Sequence, residues 1–146
     1  NLGFYVHSTS DTEQNTEIFN FLNSVAESKE VGDTSLFFNE VDFNPNPKKF
    51  GSFNSTELWS FSGVLLATTL TNVVLASKVV NDIKLAYLYN EESEKNNLMM
   101  LIGASRDTPV IVRNEEDKKE IYRLTGKWPY LMEQLDLQKI REVFNE

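Results

Sequence analysis

Six short apolar runs, at residues 2–6, 36–38, 64–67, 83–89, 110–112 and 130–132, are separated by stretches that read mostly as amphipathic helix. The runs are continuous rather than alternating. A strand with one wet face shows every second residue polar, so unbroken apolar strands must be covered on both faces. Parallel strands joined by crossover helices meet that requirement. The expectation is therefore a doubly wound α/β domain, with a mostly parallel sheet of about six strands and helices on both faces. A chain of 146 residues fits one such domain, spanning residues 1–146. At this size roughly 68–70% of the unfolded surface is buried on folding, enough for a core without disulfides or metals.

Composition closes several routes to function. There is no cysteine, which removes disulfides, thiolate zinc sites and cysteine nucleophiles, and the single histidine argues against a histidine-rich metal centre. The net charge is −8, and Lys48-Lys49 and Lys118-Lys119 are isolated basic pairs. Duplex binding needs clustered cations to displace counterions, so nucleic acid is not an expected partner. The longest apolar stretch, residues 64–76, is broken by threonines and an asparagine and is too short to span a membrane. The opening residues enter a strand directly and lack the basic region of a secretory signal, which points to the cytoplasm.

Helix signals punctuate the runs. Ser10 and Glu13 have capping-box spacing, followed by an apolar stripe of Ile18, Phe21, Leu22 and Val25. After a second strand at 35–39, residues 42–53 contain Pro45, Pro47 and Gly51 and read as an irregular loop. Asn54 and Glu57 then open a short helix. A third strand at 64–68 precedes a helix capped by Thr71 or Asn72 and reaching about Val80, with Val73, Val74, Ala76 and Val80 as its packed face. The fourth strand is 83–89. Residues 91–97 begin a helix whose apolar part is Leu98–Ser105, and 108–112 is the fifth strand. Asn114 caps a helix that runs from acidic (Glu115, Glu116, Asp117) to basic (Lys118, Lys119, Arg123), the order its dipole favours. Thr125-Gly126 followed by Pro129 stops it. A sixth strand at 130–132 and a closing helix capped by Asp136, burying Leu137, Ile140, Val143 and Phe144, complete the chain.

Ligands of open α/β sheets bind beyond the carboxyl ends of the strands, where strand order reverses. An order of 3-2-1-4-5-6 puts that crevice beside the first and fourth strands; the order 2-1-3-4-5 fits the pattern as well. The residues past the first strand, His7 to Thr12, contain no glycine, so the dinucleotide fingerprint is missing, and no Walker lysine is present. No NAD, FAD or other cofactor is expected. Ser8, Thr9, Ser10 and Thr12 instead form a hydroxyl-rich approach to a helix N-terminus, suited to a sugar or phosphate, or serving only to cap the helix. His7 is the chain's single histidine, the residue type suited to proton transfer near neutral pH, and it stands at the mouth either as a general base or as a structural residue. Thr68, Thr69, Asn90, Arg113 and Glu133 follow later strands and are further candidate ligand-binding residues. Arg113 either clamps an anion or pairs with Glu115 or Glu133. Glu40 and Asp42 have the spacing of a carboxylate metal pair, but a solvated turn explains them better, and no metal site is assigned.

The segment from Phe43 to Phe61 holds Phe43, Phe50, Phe53, Trp59 and Phe61, more aromatics than a solvated connection needs. They either pack the loop onto the sheet and form a protein interface, or stack on a sugar.

Four stretches carry a family resemblance: residues 3–8 (Gly-Phe-Tyr-Val-His-Ser), 62–69 (Ser-Gly-Val-Leu-Leu-Ala-Thr-Thr), 84–89 (Lys-Leu-Ala-Tyr-Leu-Tyr) and 109–116 (Pro-Val-Ile-Val-Arg-Asn-Glu-Glu). In order and spacing the chain resembles the N-terminal Rossmann-like half of GT-B glycosyltransferases, in the miniature form that phage genomes encode. The resemblance covers nearly the whole chain through loose motifs that other Rossmann-like domains share. It implies a sugar or nucleotide sugar as ligand and, for a phage protein, the host cytoplasm as location. In such enzymes the second domain holds most of the nucleotide sugar, and residues 1–146 match only the first. The resemblance thus implies binding without transferase activity by this chain alone, or a cleft completed by a homodimer or partner protein. The alternative is a non-catalytic interaction module that uses residues 43–61.

Overall fold

The computed structural model describes residues 1–90 and 98–145. One sheet of seven strands, every neighbouring pair parallel, runs through the molecule in the order β3-β2-β1-β4-β5-β6-β7. The strands are β1 (Leu2–Ser8), β2 (Thr34–Glu40), β3 (Gly51–Asn54), β4 (Gly63–Ala67), β5 (Ile83–Leu88), β6 (Val110–Val112) and β7 (Tyr130–Leu131). The helices are α1 (Glu13–Ser28), α2 (Leu70–Ser77), α3 (Leu98–Ser105), α4 (Glu115–Thr125) and α5 (Leu137–Val143), and a 3₁₀ segment covers Ser55–Ser60. This is a doubly wound, Rossmann-like α/β domain. No helix among the described residues is long and apolar enough to cross a membrane.

The two-residue period of the strands explains the continuous apolar runs. Phe4, Val6, Leu36, Leu66, Ala86, Leu88 and Ile111 project to one face, where they meet Ile18, Phe19 and Leu22 of α1 and Ile140 and Val143 of α5. Their neighbours Tyr5, Phe37, Leu65, Ala67, Tyr87, Val110 and Val112 project to the other face. There they meet Leu70, Val73 and Ala76 of α2, Leu101 of α3 and Ile121 of α4. Each strand residue therefore has a layer to fill. Register keeps the layers aligned: Phe4 lies beside both Leu36 and Leu66, and Tyr5 beside both Phe37 and Ala67.

Several boundaries differ from the sequence expectation. The seventh strand, β3, lies at the end of the stretch read as irregular loop. Gly51, Ser52 and Asn54 have weak strand propensity, and only pairing with Ser35–Phe38 of β2 draws them into the sheet. For the six strands expected from sequence the order is 2-1-3-4-5-6, which extends the 2-1-3-4-5 alternative, with β3 added at the edge beside β2. The neighbour of β1 at the reversal is therefore Gly63–Ala67, not the strand at residue 83. The cap of α1 is Thr12 rather than Ser10, its Oγ1 accepting from the Asn15 N–H at 3.1 Å. The cap of α2 is Thr69 rather than Thr71 or Asn72, and that helix stops at Ser77. Val80 is consequently 87% exposed instead of packed. In α1 Phe19 is fully buried while Phe21 is only partly so. The expected helix start at 91–97 lies outside the described residues.

The aromatic segment is divided between layers. Phe50 enters the α1 layer against Phe19 at 5.2 Å between ring centroids, and Phe61 enters the opposite layer against Phe37 at 5.3 Å. Phe43, Phe53 and Trp59 stay exposed. The segment is thus partly core and partly surface.

Two glycines at positive φ make contrasting demands. At Gly63 (φ 126°) a Cβ would lie 2.5 Å from the Asn1 carbonyl oxygen, where the chain starts β4. At Gly126 (φ 77°), which ends α4, a Cβ would meet nothing within 4 Å. Gly126→Ala should therefore cost about 1 kcal/mol, the strain of the left-handed backbone alone, whereas Gly63→Ala should cost about 3 kcal/mol or more. Urea unfolding of the two variants checks the ranking, and equal losses would contradict it.

Candidate functional site

At the carboxyl ends of the strands α1 leaves β1 toward one face and α2 leaves β4 toward the other. Their divergence opens a cleft of about 760 Å³. Of the residues anticipated from sequence, His7, Ser8, Ser10, Thr12, Thr68, Thr69, Asn90 and Arg113 line it. Two do not. Thr9 is buried and turned toward the β2 loop, its Oγ1 donating to the Asp42 carbonyl and accepting from the Asp42 N–H, both at 2.7 Å. Glu133 lies outside the lining and contributes only a carbonyl oxygen to Arg113, at 3.0 Å.

The loop after β1 is held by a buried amide. Asn15 Nδ2 donates to the carbonyl oxygens of Ser8 (2.9 Å) and Ser10 (2.7 Å), so the loop folds back over the first turn of α1. Ser8 Oγ accepts from the Ser10 N–H, Thr12 Oγ1 from Asn15 and Thr69 Oγ1 from the Asn72 N–H. A hydroxyl that accepts one hydrogen bond keeps a proton to donate and a second lone pair. Capping and ligand binding are therefore compatible at these positions.

Beneath the mouth, a chain of polar side chains runs into the α2 layer. The Tyr5 hydroxyl donates to Asn39 Oδ1 at 2.6 Å, which fixes the Asn39 amide so that its Nδ2 donates to Asn72 Oδ1 at 2.8 Å. Asn72 Nδ2 in turn donates to the Tyr5 carbonyl at 3.3 Å. The same Asn39 Nδ2 lies 3.4 Å from His7 Nδ1, making that ring nitrogen the acceptor, while Nε2 faces Glu40 Oε2 at 3.7 Å. Both imidazole nitrogens thus have protein neighbours, although the ring is well exposed. Asp42 takes no part: its carboxylate accepts from the Phe43 N–H. Among the described residues no three histidine or carboxylate side chains gather as metal ligands.

Arg113 at the end of β6 resolves differently from either sequence alternative. Its guanidinium forms a two-pronged pair with Glu17 of α1, Nη1 to Oε1 at 2.8 Å and Nη2 to Oε2. Nε donates to the Met132 carbonyl at 2.9 Å and Nη2 also reaches the Glu133 carbonyl. One side chain thereby ties α1 to the ends of β6 and β7. Glu17, Asn39 and Asn72 were not singled out as site residues from sequence. Asn72 gives the clearest signal in retrospect, a polar residue on the buried face of an otherwise apolar helix.

No protein-family model, curated protein or solved structure matches the chain.

Burial raises the pKa of the Tyr5 phenol above its ordinary 10.0, outweighing the hydrogen bonds with Ser55 and Asn39 that act in the opposite direction. A group whose folded pKa is raised stabilises the fold fully below its unfolded pKa and loses that contribution as pH climbs through the folded value. Tyr5→Phe should therefore cost about 1 kcal/mol at pH 7, and the gap to wild type should narrow as pH rises above 10. Urea unfolding at pH 7 and at pH 11 measures the gap, and a constant difference would refute the assignment.

Proposed function

We propose that the cleft binds a sugar- or nucleotide-like ligand and that this chain is a glycosyltransferase-like binding domain, performing binding rather than sugar transfer by itself. The observation that carries this reading is the convergence of hydroxyl and amide side chains from separate loops on one cleft at the strand-order reversal. Ser8, Ser10 and Thr12 come from the loop after β1, Thr68 and Thr69 from the end of β4, and Asn90 follows β5. Polyhydroxylated ligands are recognised by such paired donors and acceptors, with an apolar wall supplied here by Tyr89. His7 also lines this cleft, with its ring nitrogens near Asn39 and Glu40. The resemblance of residues 3–8 and 62–69 to glycosyltransferase strand ends points the same way.

Thermal unfolding with a nucleotide sugar, a free nucleotide and a free sugar, each at millimolar concentration, tests the reading. A ligand at ten times its Kd stabilises by about 1.4 kcal/mol, enough to raise Tm by a few degrees. Gln14→Trp, which places a bulky ring at the cleft wall on the first turn of α1, should abolish the rise. Absence of any rise across the probes would end the proposal.

A second reading, docking of a partner or second copy along the sheet edge, is favoured by Phe53 on the outermost strand and by Phe43, 79% exposed, in the loop before it. It expects sedimentation to show self-association that the double variant Phe43→Ser, Phe53→Ser removes. A monomer at every concentration would dispose of the homodimer.

A further inference from the structure

Charge in the cleft narrows the ligand further, on the reading that the cleft is the binding site. Among the described residues, three carboxylates line it, Glu13, Glu17 and Asp117, against one guanidinium, Arg113, and no lysine. The guanidinium is already committed: Glu17 takes two of its N–H groups in parallel, and the Met132 and Glu133 carbonyls take others. A planar fork engaged this way has little left to offer a phosphate. The N-terminus of α2 at Thr69 carries no acidic residue, but those of α1 and α4 are masked by carboxylates. The first turns of α1 and α4 hold Glu13 and Glu115, Glu116 and Asp117, which place negative charge where a phosphate would otherwise enter. Within a Debye length of about 8 Å at physiological salt, such charges repel an incoming anion.

We infer that the cleft selects an unphosphorylated polyhydroxyl ligand, a sugar or nucleoside, over its phosphorylated counterpart, and that Glu17 is the residue that sets this preference by neutralising Arg113. Glu17 acts by cancelling the charge of a group that would otherwise recruit phosphate. Glu17→Gln removes its charge while leaving an amide oxygen that still accepts from Arg113, so the tie between α1 and β6 persists and the fold survives.

The experiment compares matched pairs by two-dimensional amide NMR titration: glucose with glucose 1-phosphate, and uridine with uridine 5′-diphosphate. On wild-type protein the unphosphorylated member of at least one pair should shift the amides of residues 7–15 and 68–72 and bind at least tenfold more tightly than its partner. In Glu17→Gln the phosphorylated member should gain at least tenfold, with a steep loss of that gain on adding salt. Phosphorylated members that bind wild type as well or better overturn the inference and leave the cleft reading standing. A Glu17→Gln protein that remains folded by its amide spectrum and shows no gain removes Glu17 from the role. If no probe shifts those amides, the cleft reading itself falls, and the preference with it.

Discussion

The double pairing of β1 is the constraint on which the rest of the molecule depends. Its residues pair with β2 on one side and β4 on the other, Leu2 to Thr34 and Val64, Tyr5 to Phe37 and Ala67. Strands on its two sides are reached through opposite layers: α1 leads to β2, and α2 leaves β4 on the far face. Two chain segments departing from adjacent strand ends in opposite directions cannot fill the space between them. The cleft follows from connectivity before any side chain is chosen.

Side chains then decide what that space is like. The loop lacks the glycines of the dinucleotide fingerprint, and it is pinned by Asn15 onto its own helix. The polar chain Tyr5–Asn39–Asn72 sits in an apolar layer with each amide oriented by its neighbour. A buried polar group without partners is costly, so such a chain fixes the spacing of β1, β2 and α2 more sharply than packing alone. Arg113 performs the corresponding task on the other layer, joining α1 to the ends of β6 and β7.

The alternation of apolar runs and helices revealed the architecture because each strand serves two layers, and that double burial leaves an unbroken signature. It missed β3, whose residues 51–54 carry almost no strand signal of their own and are ordered by β2 alone. It misplaced the caps of α1 and α2 by two residues or more because serines, threonines and asparagines adjoin one another there, and each has capping chemistry. Half of the described cleft lining was readable, since strand ends are easy to locate. The partner of Arg113 was not: Glu17 is 96 residues away in sequence, and only the closed sheet brings α1 beside β6.

The path of residues 43–61 has a mechanical consequence. Phe50 is driven into one layer and Phe61 into the other, with the outermost strand between them. The segment straddles the rim of the sheet like a clip with a prong on each side. Peeling it away would uncover greasy surface above and below together, so this border yields only when both halves of the interior begin to open.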